Sequence, residues 1–304
     1  MPYLLLAVCC SASIALIFKY TENKGMNRYA ITSVNYIAAC VVMAGFLAIK
    51  GLPLTHPLHL IESISDIGSA LAGPGHKLSL NGSFLWAVFV GGIAGGVFFL
   101  SFICLQISIR RHGVGLAGAF AKLGILVPML LSLLIWRERP QLLQWMGIGL
   151  AVFSIVLVNW PSRAQQGRTI RPILLMLFVL GGLAEFSNKV FQRYAILEHK
   201  SLFLFCVFFV ALLFSLAVVL RRRIPLARRE ILMGSAVGVP NLFSSFFLIL
   251  ALNELPASVV FPIYGAGSIV IINLVGMTFF KERLKPRDLT AVLMTIVALV
   301  LINL

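Results

Sequence analysis

Three charged side chains lie inside long apolar stretches of the chain: Lys122, Glu185 and Lys189. Lys122 falls about nine residues into its stretch, roughly 13 Å at 1.5 Å per residue and close to the middle of a bilayer. An ammonium at that depth costs at least about 2.5 kcal/mol. Either it faces a cavity and binds a carboxylate or phosphate, or it is held by an ion pair with Glu185 or by snorkelling. Glu185 is the one glutamate within an apolar stretch, and it has the chemistry to accept a substrate amine or to cycle a proton. Its local alternative is Lys189, four residues on, in the favourable order for a helical pair. Lys189 itself stands near the end of the stretch, where it either meets a substrate or extends to the interface.

Uncharged polar groups share this depth: Ser11, Ser13, Asn35, Tyr36, Asn188, Asn241, Ser245, Tyr264, Ser268 and Asn273. In lipid such groups commonly bond between helices for about 0.6 kcal/mol each. Asn188, Asn241, Ser268 and Asn273 join Lys122, Glu185, Lys189 and Tyr264 as candidate substrate-binding residues. Tyr264 stands out because it follows Pro262 and precedes Gly265-Ala266-Gly267, where an interrupted helix would open backbone groups to a ligand. No metal site or cofactor is expected. All five histidines (His56, His59, His76, His112 and His199) lie outside the apolar runs, and the five cysteines have no CxxC spacing. The carboxylate, histidine and nucleophile constellations that membrane enzymes need are missing at membrane depth, so enzymatic chemistry is not expected either.

The elements that must position these groups follow from composition. Of 304 residues, 60% are hydrophobic and 12% charged. Charged clusters divide the chain into ten apolar segments, at about 2–18, 29–49, 84–106, 114–136, 141–160, 172–191, 202–220, 231–253, 257–280 and 287–303. Apolar character on all faces marks helices, because a backbone in lipid must bond to itself. The fold class is therefore all-α integral membrane with ten transmembrane helices. Residues 50–83 form the longest connection, with an interfacial helix expected at about 58–71. The N-terminus lacks the basic start of a signal peptide and reads as a retained first helix.

The net charge of +15 would suggest nucleic acid in a soluble protein, but here the charges sort by side of the membrane. Six Lys and Arg residues fall on one side and seventeen on the other, the segment 221–230 being the densest. The basic side is expected in the cytoplasm, which places both termini outside a multi-pass protein of the cytoplasmic membrane. The partners expected are the bilayer, a small-molecule substrate and a coupled proton or counter-substrate, with no nucleic acid. Trp86, Trp136, Trp145 and Trp160 at segment ends read as an interfacial belt. Gly92 and Gly96 have the spacing for close helix approach.

Residues 101–160 align without a gap on 245–304, pairing Ser101-Phe102 with Ser245-Phe246 and Glu138-Arg139 with Glu282-Arg283. Five segments per half is an odd number, so the halves, 1–160 and 171–304, would run through the membrane as two inverted five-helix repeats. The repeated tails at 133–159 and 277–303 each carry an apolar helix, Glu-Arg, a short polar turn and a final helix. This pattern resembles the EamA-type motif of the drug/metabolite transporter superfamily. The resemblance implies a basket of helices around a central cavity, alternating access and transport of a metabolite. In this sequence Gly147 of the first tail is matched by Ala291, and the charge bias places the termini outside, where many relatives have them inside. Glu138 and Glu282 with their arginines are expected to cap helix ends or latch the two faces. Together these readings describe a secondary transporter of a small polar or zwitterionic metabolite, such as an amino acid. An exchanger of anionic or phosphorylated metabolites is the alternative, with an ion channel or lipid-handling protein behind it.

Overall fold

A computed structural model describes the chain apart from residues 52–59, 73–76, 113–119, 122, 139, 160–171, 280–285 and 304, and apart from some helical side chains, Asn273 among them. Lys122, Arg139, Trp160, Glu282 and Arg283 thus lie outside the described residues. Eleven α-helices are described: α1 (Pro2–Asn23), α2 (Arg28–Lys50), α3 (Leu60–Ala72), α4 (Leu80–His112), α5 (Leu126–Trp136), α6 (Leu142–Asn159), α7 (Pro172–Tyr194), α8 (Lys200–Arg221), α9 (Arg228–Glu254), α10 (Ala257–Phe279) and α11 (Pro286–Asn303). Among the described residues α2, α4, α7, α8 and α9 are long and apolar enough to cross a membrane. The apolar runs in α1, α5, α6 and α10 are shorter.

Local chemistry sets several ends. Asn27 starts α2 by accepting from the N–H groups of Tyr29 and Ala30 at 3.0 and 3.3 Å. Gly51 ends it at φ 72°, returning its N–H to Leu47. α4 starts at Leu80, one turn before the apolar run predicts, because Asp66 of α3 accepts the N–H of Ser79 at 2.8 Å. The helix expected at 114–136 turns at Gly124-Ile125 and resumes at Leu126. By contrast α10 runs unbroken past Pro262, so the interruption expected beside Tyr264 does not occur there.

The packing partners of the two halves correspond. α1 lies against α9 and α10, as α7 lies against α4 and α5; α2 packs on α9 as α8 packs on α4. α6 packs on α11, and α5 on α10. Gly91 and Gly95 form the seam of α4 with α8. A methyl on Gly91 would sit 2.8 Å from Cβ of Cys206, and one on Gly95 2.5 Å from the Val207 carbonyl. Gly92, expected at this seam, has nothing within 4 Å of its would-be Cβ. The expectation was one helical position out, because the partner helix, not the spacing, chooses the face. Gly234 and Gly238 repeat the arrangement between α9 and α2, their would-be Cβ atoms 2.5 Å from Val34 and 2.6 Å from the Asn35 carbonyl.

α2, α4, α7, α8 and α9 enclose an aromatic-rich core in which Phe191 stacks on Phe203 at 4.4 Å. Trp86 belongs to this core rather than to an interfacial belt: it is buried, with its ring edge-on to Tyr194 at 5.5 Å. Trp145 is half exposed, as a belt residue would be.

Candidate functional site

Four helices bring polar groups to one level. Counting from the ends of their helices nearest Met1, Ser11 of α1, Glu185 of α7, Ser244 of α9 and Tyr264 of α10 each lie about 10–15 Å in at 1.5 Å per residue. The Tyr264 hydroxyl bonds Ser244 Oγ at 2.8 Å and has Ser11 within hydrogen-bonding reach. Ser244 donates to the Ala7 carbonyl of α1 at 3.3 Å, so α1, α9 and α10 meet through one chain of hydroxyls. The Glu185 carboxylate is close enough to Tyr264 for its charge to act on the phenol. Asn188 Nδ2 donates to Glu185 at 3.3 Å. Because a carboxylate only accepts, this bond fixes the orientation of the amide. Asn188 Oδ1 is left buried and without a hydrogen-bond partner among the described residues.

Between this layer and the end of the molecule nearest Met1 lies a buried ion pair. Lys189 Nζ is 3.4 Å from Glu138 Oε1, with side chains 8% and 14% exposed. Lys189 therefore neither snorkels outward nor depends on Glu185 for a counter-charge. Its ammonium also stands 5.7 Å from the centre of the Trp136 ring. Glu138 accepts the first two N–H groups of α10 as well, Ala257 at 3.2 Å and Ser258 at 2.9 Å. The carboxylate thus answers an ammonium and the positive end of a helix dipole together. The helix-capping role expected of Glu138 is realised on α10.

Further contacts draw this end of the molecule together. The Met1 ammonium meets Glu254 at 3.3 Å, Leu78 N–H donates to the Tyr194 carbonyl, and His199 bonds the Leu80 carbonyl at 2.9 Å. At the opposite end Asn27, Arg28, Tyr29, Met26 and Gln106 line a cleft of about 330 Å³.

The remaining candidates are divided. Asn241 gives its amide to Asn35 at 3.1 Å and joins α9 to α2. Ser268 is buried and donates to the Tyr264 carbonyl at 2.6 Å, within its own helix. Sequence reasoning did not single out Ser244 or Gln192. Gln192 donates to Asn253 at 3.4 Å and keeps a buried oxygen without a partner among the described residues. Helical spacing carried the signal for Gln192: residues 185, 188, 189 and 192 share one face of α7.

The EamA-like transporter family matches residues 1–160, more than half of the chain. The chain belongs to the EamA-like transporter family. It is a multi-pass, drug/metabolite-type membrane transporter, as the tail motifs suggested. Small Multidrug Resistance protein is a second match, over residues 227–297. An uncharacterized protein of Haemophilus influenzae is 23% identical over 98% of this chain and 96% of its own length. A solved crystal structure superposes with a TM-score of 0.69 at 14% identity, covering 98% of this chain and 94% of the other. The two chains share a fold over nearly their whole lengths.

Proposed function

We propose that this EamA-like transporter is a secondary transporter of a small polar or zwitterionic metabolite, such as an amino acid, working by alternating access. Its ten apolar segments then form two inverted five-helix repeats, 1–160 and 171–304. The corresponding packing partners of α1 and α7, and the paired glycine seams of α4 and α9, support that symmetry. The observation that carries the functional reading is the layer of Ser11, Ser244, Tyr264, Glu185 and Asn188 beneath the buried Glu138–Lys189 pair. A polar layer under one closed end and a cleft at the other suit one step of an alternating cycle. Glu185 receives the substrate amine or a coupled proton, and Lys122, about nine residues into its own apolar segment, the carboxylate.

The ion pair also favours a zwitterion over an anion. With Lys189 paired to Glu138, the other charges within the apolar segments are Lys122 and Glu185, one of each sign, and a zwitterion presents the complement of both. The end carrying exposed Lys24, Arg111, Arg221, Arg222, Arg223, Arg228 and Arg229 faces the cytoplasm in this reading. Counterflow in proteoliposomes tests it: amino acids are screened against the wild type, then Lys122→Ala and Glu185→Gln are compared. The expected result is loss of saturable counterflow in both variants. Wild-type rate and affinity in either one removes that residue's proposed role.

A further inference from the structure

α3 lies in the connection between α2 and α4, and the corresponding connection between α8 and α9 holds no helix. At about 100° per residue its side chains fall into three sectors. One faces the protein: Ser63 and Ala70 are buried, Ile67 packs against the aromatic-rich core, and Asp66 accepts the Ser79 N–H at the start of α4. The second is polar and exposed, with Glu62, Ser65 and Ser69. The third is apolar and exposed, with Ile61 at 85%, Ile64 at 63%, Gly68, and Leu71 at 55%. Three sectors suit a place where protein, water and hydrocarbon meet.

We infer that α3 lies in the headgroup region of one leaflet, with Ile61, Ile64 and Leu71 among the acyl chains and Glu62, Ser65 and Ser69 toward water. Through Asp66 it ties the start of α4 to the membrane surface. A second copy of the chain is the poorer occupant, since three side chains fall far short of the roughly 20–30 residues a side of a stable interface. α4, against which α3 packs, likewise exposes Val88, Phe89 and Ile93, as a helix in contact with acyl chains would. α3 contains no Lys or Arg, so anionic headgroups add no attraction. Seating rests on apolar contact and on the covalent tether to its neighbours.

The test replaces the five native cysteines by alanine, introduces Ile61→Cys, Ile64→Cys, Leu71→Cys, Ser65→Cys or Ser69→Cys singly, and attaches an environment-sensitive fluorophore. Each protein is reconstituted in phosphatidylcholine vesicles, with and without phosphatidylglycerol. Lipids carrying a nitroxide near the top of the acyl chain are expected to quench positions 61, 64 and 71 several-fold more than positions 65 and 69. Aqueous iodide is expected to show the reverse order, in both lipid mixtures. Equal iodide quenching at all five positions overturns the inference. So does protection of positions 61, 64 and 71 from both quenchers together with cross-linking between copies, and so does acyl-chain quenching that requires phosphatidylglycerol.

Discussion

Glu138→Ala should destabilise this transporter more than Lys189→Met, although the two residues form one ion pair. The reason lies in what each substitution leaves behind. Without Glu138, the Lys189 ammonium stays buried with the Trp136 ring as its named neighbour, and α10 loses the acceptor of two N–H groups. Removing one partner of a buried pair costs about 3–5 kcal/mol. Loss of a cap adds about 1 kcal/mol. Without Lys189, by contrast, Glu138 keeps both amides of α10 and the dipole behind them, contacts that offset much of its desolvation. A cost of about 2 kcal/mol is then expected, more than tenfold less in the folding equilibrium than for Glu138→Ala. The double variant should be more stable than Glu138→Ala alone, because no unpaired cation remains. Unfolding in dodecylmaltoside micelles titrated with sodium dodecyl sulfate and followed by circular dichroism provides the numbers. Equal costs for the two single variants, or a double variant as unstable as their sum, would refute the reasoning.

The glycine seams predict a sharp positional contrast. Gly95→Ala drives a methyl into the Val207 carbonyl and should cost about 1–3 kcal/mol, whereas Gly92→Ala, with open space around it, should leave the thermal midpoint within a degree or two of wild type. Tyr264→Phe removes the bond to Ser244 and should cost about 1 kcal/mol in the same unfolding assay. If Tyr264 also meets substrate, its phenylalanine variant raises the apparent KM while Ser244→Ala, which breaks the same bond, does so less; equal KM values would assign Tyr264 to structure alone. Cysteine accessibility in intact cells checks orientation. In a cysteine-free background, a membrane-impermeant maleimide is expected to label Ser65→Cys and not Arg223→Cys, and the opposite pattern would reverse the topology.

Hydrophobic runs were legible because lipid leaves a spanning backbone no alternative to a helix. The expected segments at 29–49 and 172–191 differ from α2 and α7 by only a few residues. Ends were less legible where a distant side chain sets them, as Asp66 does for α4. Glycine spacing announced a close helix seam, but one position away from the glycines that form it. Trp86 looked interfacial by its place in the sequence and is core, because Tyr194 of another helix covers it. Glu185 and Tyr264 could be chosen by type and depth. Their neighbour Ser244 could not, since α1, from the far end of the sequence, must first converge on α9 and α10.

Apolar composition, charge placement and the repeated Glu-Arg tails determined a membrane transporter of this family, because each is a property of single segments against lipid and water. Tertiary structure decided which charge Glu138 pairs with and which helix it caps. Glu138 lies 51 positions before Lys189 and 119 before Ala257, yet it meets both within 3.4 Å. An ion pair depends on distance in space, and the packing of α5, α7 and α10 sets that distance.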